Sequence, residues 1–361
     1  MNVFLHRLWC SFCLMLGNQD SLIRYLLPII NFMKPNYLPG SFGAKVLSAE
    51  IKTQDVLHLH LKVSKRWPGF IAGQHISLTF NRNGRWLSRT FSLCSSTALW
   101  QTHRQVKLCC KIQKDGAFTP LLATLKTDDK LNISVASGDF VWQKIPQSTT
   151  FIAAGSGITP IAAMLLSQDH WSSPVTLIYR VKDASNAALL SELQTLAAQQ
   201  PLLSINLSQS HTESAADFAS KVASLALTQQ YYICGPAPFM QAIHHALITS
   251  GVSKDCIHQE QFGLPAPSLS SDDITKIQAT FVQAGVAQNI LMAKGLSLLQ
   301  GAEQGGLQAS FGCRMGVCFQ CVCQKVSGQV RDIRSGLLSG HGEEQIQLCI
   351  SQPVSELVIQ L

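Results

Sequence analysis

Apolar and polar positions change rhythm twice along the chain. From 45 to 145 the apolar residues fall in short runs: Val46–Ile51, Val56–Val63, Ile76–Phe80, Thr90–Leu93, Val106–Ile112 and Leu131–Val135, with Gly and Asn between them. That spacing predicts a small all-β unit, a barrel or a sandwich. From 146 to 262 strand-like runs alternate with helical stretches. Thr150–Ala154, Val175–Tyr179, Leu203–Leu207 and Tyr231–Cys234 read as strands; Ile161–Leu166, Ala187–Ala198, Asp217–Ala226 and Phe239–Thr249 read as helices. Such alternation predicts an α/β domain with a largely parallel sheet. Gly263–Asp273 contains two prolines, three serines and two aspartates and reads as a linker. In 274–361, Ile274–Val282 and Leu357–Leu361 are strand-like and Leu296–Gln304 is helical, ending near Gly305–Gly306.

The length of 361 residues suits two or three domains, and a chain 46% hydrophobic with 14% charged residues can bury sizeable cores. Residues 1–44 stand apart. They are apolar, but the uncharged runs Leu8–Gln19 and Tyr25–Met33 are too short to span a bilayer, which takes roughly 18–25 residues. No small-residue cleavage site marks a signal peptide. Several readings stay open: an interfacial element presenting Trp9, Leu26, Ile29, Ile30 and Phe32 to a membrane, a segment packed on the protein, or a disordered or overlong start.

The net charge of +7 is unevenly held. Residues 45–145 carry 15 Lys/Arg against 6 Asp/Glu, whereas residues 146–262 carry 4 against 7. A basic patch confined to one domain fits a phosphate-bearing cofactor or an acidic partner, and no basic helix or finger spacing supports nucleic-acid binding. Five of the 12 cysteines lie within the last 49 residues. A chain of this length is not a secreted disulfide scaffold, so a reducing, cytoplasmic setting and a local cysteine site are expected.

Cys313, Cys318, Cys321 and Cys349 have the spacing C-x4-C-x2-C-x27-C, the plant-type [2Fe–2S] arrangement. Three thiolates in one loop can surround a small cluster if the backbone wraps it, and a fourth from a distant segment closes the site. Zinc is the competing reading, although a lone Cys349 facing a triplet departs from paired zinc knuckles. Cys323 is expected to be an ordinary thiol.

The segment Gly312-Cys-Arg-Met-Gly-Val-Cys-Phe-Gln-Cys321 resembles the cluster loop of plant-type ferredoxins, departing from it at Phe319–Gln320. Arg89-Thr-Phe-Ser92, with Pro68–His75 before it and Gly116–Thr119 and Gly138–Phe140 after it, resembles the flavin domain of the ferredoxin-NADP reductase superfamily. The resemblance implies a β-barrel flavin domain, an α/β nicotinamide domain and an α+β, β-grasp ferredoxin domain. It places Arg89 on the flavin phosphate, Phe91 against the isoalloxazine, and Ser92 near the atom that receives the hydride. Thr90, Gly116, Phe118 and Thr119 complete the implied flavin site, and FAD is favoured over FMN.

Ala154-Gly-Ser-Gly-Ile-Thr-Pro160 follows a strand and leads into a helix, so backbone N–H groups there can face a phosphate. It resembles the Gly-x-Gly-x-x-Pro turn of the superfamily; Gly155, Gly157, Thr159 and Pro160 are its members, with Thr159 expected to cap the helix. By the same resemblance Cys234-Gly235-Pro236 borders the nicotinamide, and Glu260 and Phe262 close the domain at the flavin edge. Arg180, just past a strand, is expected to meet the adenosine phosphate or ribose. NADH and NADPH are not separated.

The resemblance, over residues 45–361, implies a reductase that takes a hydride from NAD(P)H and passes electrons singly, through flavin and [2Fe–2S], to an acceptor protein. The apolar N-terminus turns the expectation towards a membrane-bound fatty-acyl desaturase or hydroxylase, with the chain at the inner membrane face. A soluble ring-hydroxylating oxygenase or demethylase is the alternative. A redox sensor or scaffold that keeps the fold without turnover is the reading from another class.

Overall fold

A computed structural model of the chain describes residues 40–53, 55–82, 85–114, 116, 118–143, 147–225, 230–262, 276–283, 285–311, 314, 316, 321–333 and 336–361. Nearly all of the 1–44 segment, the 263–273 linker, Cys313 and Cys318 lie outside the described residues.

The first domain is antiparallel. Strands β1 (Phe42–Thr53), β2 (Val56–Val63), β3 (His75–Arg82), β4 (Arg85–Ser92), β5 (Gln105–Lys111) and β6 (Lys130–Ile133) form one sheet in the order β4-β3-β6-β1-β2-β5. A bridge between Leu93 and Leu108 joins its two ends and curls it into a barrel. Alternation along β2 turns Leu57, Leu59 and Leu61 inward onto Ile76 and Leu78 of β3. Helix α1 (Thr97–His103) is capped by Ser96, whose hydroxyl accepts from Leu99 N, and its Trp100 meets Trp67 edge-on at 5.9 Å. The four-residue α2 (Thr119–Leu122) follows β5.

The second domain is a parallel five-stranded sheet covered by helices. Its elements are β7 (Thr149–Ala154), α3 (Ile158–Leu166), β8 (Val175–Val181), α4 (Leu190–Gln199), β9 (Leu203–Gln209), α5 (Ala215–Ala223), β10 (Gln230–Gly235), α6 (Ala237–Thr249) and β11 (Ile257–Gln261). The order β11-β10-β7-β8-β9 reverses direction beside β7. Ligands in open α/β sheets bind outside the carboxyl ends of the strands at such a switch point. Here that point lies between the end of β7 and the end of β10, where Ala153 pairs with Cys234.

The third domain has a mixed sheet, β13-β12-β18-β14-β16, made from β12 (Lys276–Gln283), β13 (Val286–Ala293), β14 (Val322–Ser327), β16 (Glu344–Gln347) and β18 (Leu357–Gln360). Strands β15 (Val330–Asp332) and β17 (Ser351–Pro353) form a separate pair. Helix α7 (Leu298–Gln304) begins in a reciprocal cap between Ser297 and Gln300 and buries Leu298, Leu299 and Ala302 against the sheet. Lys325 is fully buried on β14, yet its Nζ donates to the carbonyls of Gly340 and Gly342, so the loop before β16 satisfies it.

The first two domains share apolar packing. Val56, Cys94 and Cys109 of the barrel belong to one buried cluster with Tyr179, Leu189 and Leu193 of the parallel-sheet domain. Among the described residues the third domain's core draws only on its own side chains.

Candidate functional site

A cavity of about 940 Å³ opens where the three domains meet. The barrel contributes Thr90, Phe91 and Ser92 from β4, and Thr119 from the start of α2. The parallel-sheet domain contributes Ser156 and Thr159 from the β7–α3 turn and His258–Phe262 from β11 and its end. Gly316 and Ile333 of the third domain close the wall.

The turn after β7 owes its shape to two glycines. Gly155 has φ +54°, a left-handed conformation that disfavours side chains. Gly157 has an ordinary φ, but a Cβ there would sit 2.1 Å from Cys234 O and 2.8 Å from Gly235 N. The turn therefore lies directly on the end of β10, and α3 starts at Ile158, with Pro160 buried in its first turn. Thr159 does not cap the helix as expected. It lies inside the first turn, and its hydroxyl donates back to Ser156 O at 2.9 Å. Gly235 packs closely against Ala154 and Phe239, and Pro236 precedes α6.

On the barrel side, Phe91 faces the cavity and packs on Phe118 at 5.8 Å between ring centroids. Phe118 itself, expected at the flavin, is 3% exposed and belongs to the barrel core with Phe80. Its apolar ring is drawn beneath Phe91 rather than into the cavity. Thr119 Oγ1 accepts from Gln113 N at 2.8 Å, which folds the segment containing Gly116 back on itself. Thr90 Oγ1 lies 3.1 Å from Ser77 Oγ. Arg89 sits beside this wall; its guanidinium donates to Ser88 O at 3.0 Å.

Arg180 is a second correction. Instead of facing a nucleotide site, its side chain donates to Ser208 Oγ at 3.1 Å, to Glu213 Oε2 at 3.4 Å and to Glu213 O at 2.7 Å, and its guanidinium lies 4.7 Å from the Phe218 ring centroid. A carboxylate, a carbonyl and an aromatic face together satisfy a buried guanidinium. Hydrogen bonds from Lys221 and Ser208, in that order, hold the Glu213 carboxyl below the usual carboxylate range.

Cys234, next to last in β10, has no exposed surface, and burial pushes its thiol well above the ordinary range, with the Glu260 carboxylate acting in the same sense. A neutral thiol at this place packs rather than attacks. Glu260 reaches across the domain boundary: its Oε1 lies 3.2 Å from His75 Nδ1, and His75 Nε2 lies 3.2 Å from Ser137 Oγ. The other oxygen, Oε2, is buried with no hydrogen-bond partner among the described residues. His75, Ser137 and Ser156 were absent from the expected site. His75 lay inside the quoted Pro68–His75 motif, but nothing in its neighbours signals a partner 185 positions away.

In the third domain, Cys321 immediately precedes β14 and Cys349 lies two residues past the end of β16. These strands pair antiparallel, Val322 opposite Gln347, which brings the distant cysteine back. The two sulfurs lie 3.2 Å apart and both are buried. Two thiols converging in this way suit a soft metal centre, so the donor set fits the iron–sulfur reading. Cys323, two residues past Cys321 on β14, is partly buried, and burial pushes its thiol up to about 12.

Comparison with known proteins agrees with this layout. A model described as an oxidoreductase FAD-binding domain matches residues 44–142, an oxidoreductase NAD-binding domain matches 151–245, and a 2Fe-2S iron-sulfur cluster binding domain matches 281–354. An NADPH oxidoreductase of Mycobacterium tuberculosis is 27% identical over 92% of this chain and 87% of its own length. The ferredoxin reductase component of 3-ketosteroid-9-alpha-monooxygenase from Mycolicibacterium smegmatis is 30% identical over 79% and 85%. The solved structure of phthalate dioxygenase reductase superposes with a TM-score of 0.62, at 23% identity, over 89% of this chain and 98% of that one.

The molecule is thus an oxidoreductase with FAD, nicotinamide and [2Fe–2S] domains in series. The chain belongs to the ferredoxin-NADP reductase superfamily, among members with a C-terminal ferredoxin domain.

Proposed function

We propose that the chain is the electron-supplying reductase of an oxygenase-type system, with the flavin domain at 45–145, the nicotinamide domain at 146–262, the linker at 263–273 and the ferredoxin domain at 274–361. The observation that carries this reading is the shared cavity, bounded by Phe91 and Ser92, by Ser156 and Glu260, and by Gly316 of the cluster loop. A bound flavin would supply the means of accepting a hydride from NAD(P)H and giving up electrons singly, and a bound iron–sulfur cluster would supply one-electron transfer.

The protein binds and orients. Arg89 neutralises the flavin phosphate, as a guanidinium suits it, and Phe91 covers the ring. Thr90, Gly116 and Thr119 supply hydroxyl and backbone groups beside it, while Ser92 donates near the reacting edge. Backbone N–H groups of Gly155–Gly157 and the start of α3 hold the dinucleotide phosphates. Cys234, Gly235 and Pro236 shape the floor for the nicotinamide, Phe262 covers its edge, and Glu260 presents its unpaired oxygen there. Cys313, Cys318, Cys321 and Cys349 hold the cluster. Phe118 and Pro160 support these walls from behind, and Thr159 lines the cavity beside Ser156.

For the acceptor, the ketosteroid monooxygenase relative supports an oxygenase of the ring-hydroxylating or demethylating kind. A membrane-bound desaturase or hydroxylase, met at the inner membrane face, is the second reading, and it rests on the apolar residues 1–44. Among the described residues no helix is long and apolar enough to cross a membrane. Anaerobic mixing with NADH and, separately, NADPH tests the core of the proposal: flavin bleaching followed by cluster reduction is expected, and spectral silence with both sinks it. Vesicle sedimentation of the full chain against a version starting at Leu38 tests the second reading. Equal behaviour discards it.

A further inference from the structure

The described residues place an aromatic ring between two arginines where the cluster loop meets the barrel. Phe311 directly precedes that loop. The guanidinium carbon of Arg314 lies 4.0 Å from its ring centroid, and that of Arg89, from β4 of the barrel, lies 5.7 Å from it. Both fall within the range in which a cation is drawn to an aromatic face. Arg314 is held over the ring by a two-pronged pair with Glu303 at the end of α7, one limb at 2.9 Å and a shorter second limb. Its backbone has φ +60°, a conformation side-chain-bearing residues seldom adopt, so the local chain geometry also fixes it there. The same loop contributes Gly316 to the cavity that Phe91 lines.

We propose that Phe311 is a positioning residue that seats the ferredoxin domain on the flavin domain by stacking against Arg89, holding the cluster loop at the flavin cavity. Three features of the chain favour a specific seat here. Among the described residues the third domain shares no buried cluster with the other two, so its placement rests on surface contacts of this kind. The linker 263–273 carries glycine, proline and serine and has no apolar stripe with which to set a docking angle. Arg89 is also the residue assigned above to the flavin phosphate. One guanidinium can use its N–H edge for the phosphate and its flat face for the ring, so flavin binding and docking share a side chain. This inference rests on the flavin-to-cluster route proposed above. It adds that the route's geometry depends on one aromatic face.

The test uses the full chain loaded with FAD and iron–sulfur cluster, as wild type, Phe311→Leu and Phe311→Tyr. Leu keeps apolar bulk without the aromatic face; Tyr keeps the face. Anaerobic stopped flow with the better nicotinamide reads flavin bleaching and then cluster reduction, in which the reduced flavin loses one electron and the oxidised cluster gains it. Flavin bleaching is expected at the wild-type rate in all three. Cluster reduction is expected to slow about two- to fivefold in Phe311→Leu, the weight of one partly exposed cation–π contact, and to return in Phe311→Tyr. Amide hydrogen exchange of the oxidised proteins supplies a readout without turnover: β4 should exchange faster in Phe311→Leu alone. Unchanged cluster reduction and unchanged exchange in Phe311→Leu overturn the inference. A cluster lost from Phe311→Leu while β4 stays protected also overturns it, because Phe311 would then serve the loop and not the seat. If the wild type shows no cluster reduction, the electron route itself has failed, an outcome distinct from either.

Discussion

Replacing Gly157 with alanine should separate the two reasons for glycine in the β7–α3 turn. A Cβ at 157 would lie 2.1 Å from Cys234 O, 2.4 Å from Cys234 C and 2.8 Å from Gly235 N, whereas ordinary contacts begin at 3.4 Å. All three atoms belong to β10, which is paired on both sides, with β7 and β11, and cannot retreat. The turn must move instead, by more than an ångström. Overpacking of this kind costs about 1–3 kcal/mol. A mid-range loss lowers the melting temperature by roughly 4–8 °C for a unit of this size. The displaced N–H groups also lose reach to a phosphate. One charge-assisted hydrogen bond is worth about 1.5–3 kcal/mol, so nicotinamide should bind roughly ten- to a hundredfold more weakly. Gly155→Ala is the control. Nothing lies within 4 Å of its Cβ, and only the strain of φ +54° remains, about 1–2 kcal/mol. That turn stays in place, so affinity should fall less. Thermal unfolding and calorimetric titration with NADH or NADPH read both quantities. A Gly157→Ala protein with wild-type melting and affinity would refute the reasoning, as would a larger affinity loss in Gly155→Ala.

Cys349→Ser should abolish the [2Fe–2S] electron paramagnetic resonance signal of the reduced protein while flavin bleaching by nicotinamide persists; a surviving native signal contradicts the ligand assignment. Cys323→Ser, at a position outside the C-x4-C-x2-C-x27-C spacing, should retain that signal, and its loss would place Cys323 on the metal. Glu213 has a carboxyl held below the usual range by Lys221 and Ser208. Its contribution to stability is therefore present above the ordinary carboxylate pKa and is lost as pH falls through the depressed native value. Acid melting curves of Glu213→Gln should accordingly fall less steeply than wild type between those two points; parallel curves would show that the group is not coupled to folding.

The domain order and most strands were legible because the burial rhythm is strong: β2 alternates along its length, and β7 is buried throughout. Six of the described strands escaped, β11 and β13–β17, and two of them show why. Ile257–Gln261 is polar at four of five positions and sits at the sheet edge, and Val286–Ala293 exposes its first four residues. Neither shows the alternation that betrays a half-buried strand. Helix α1 was hidden because seven residues without a buried position leave no stripe. At the site, the turn glycines and the cysteine spacing announce themselves, since backbone geometry and ligand count leave marks along the chain. Side-chain direction does not. Arg180 reads as a nucleotide ligand until Glu213 and Phe218 are seen to claim it, and Phe118 reads as a flavin contact until it is found beneath Phe91. The His75–Glu260 contact joins two domains and has no local signature at all.

The buried cluster common to the barrel and the parallel sheet has a consequence for how this molecule can be taken apart. A cut between those two halves would strip apolar cover from Tyr179, Leu189 and Val56 alike, and both fragments should aggregate. A cut in the segment after Phe262 severs no such cover among the described residues. The chain is built as one indivisible hydride-handling body and one portable electron carrier, so the carrier could be grafted, exchanged or expressed alone while the body could not be halved.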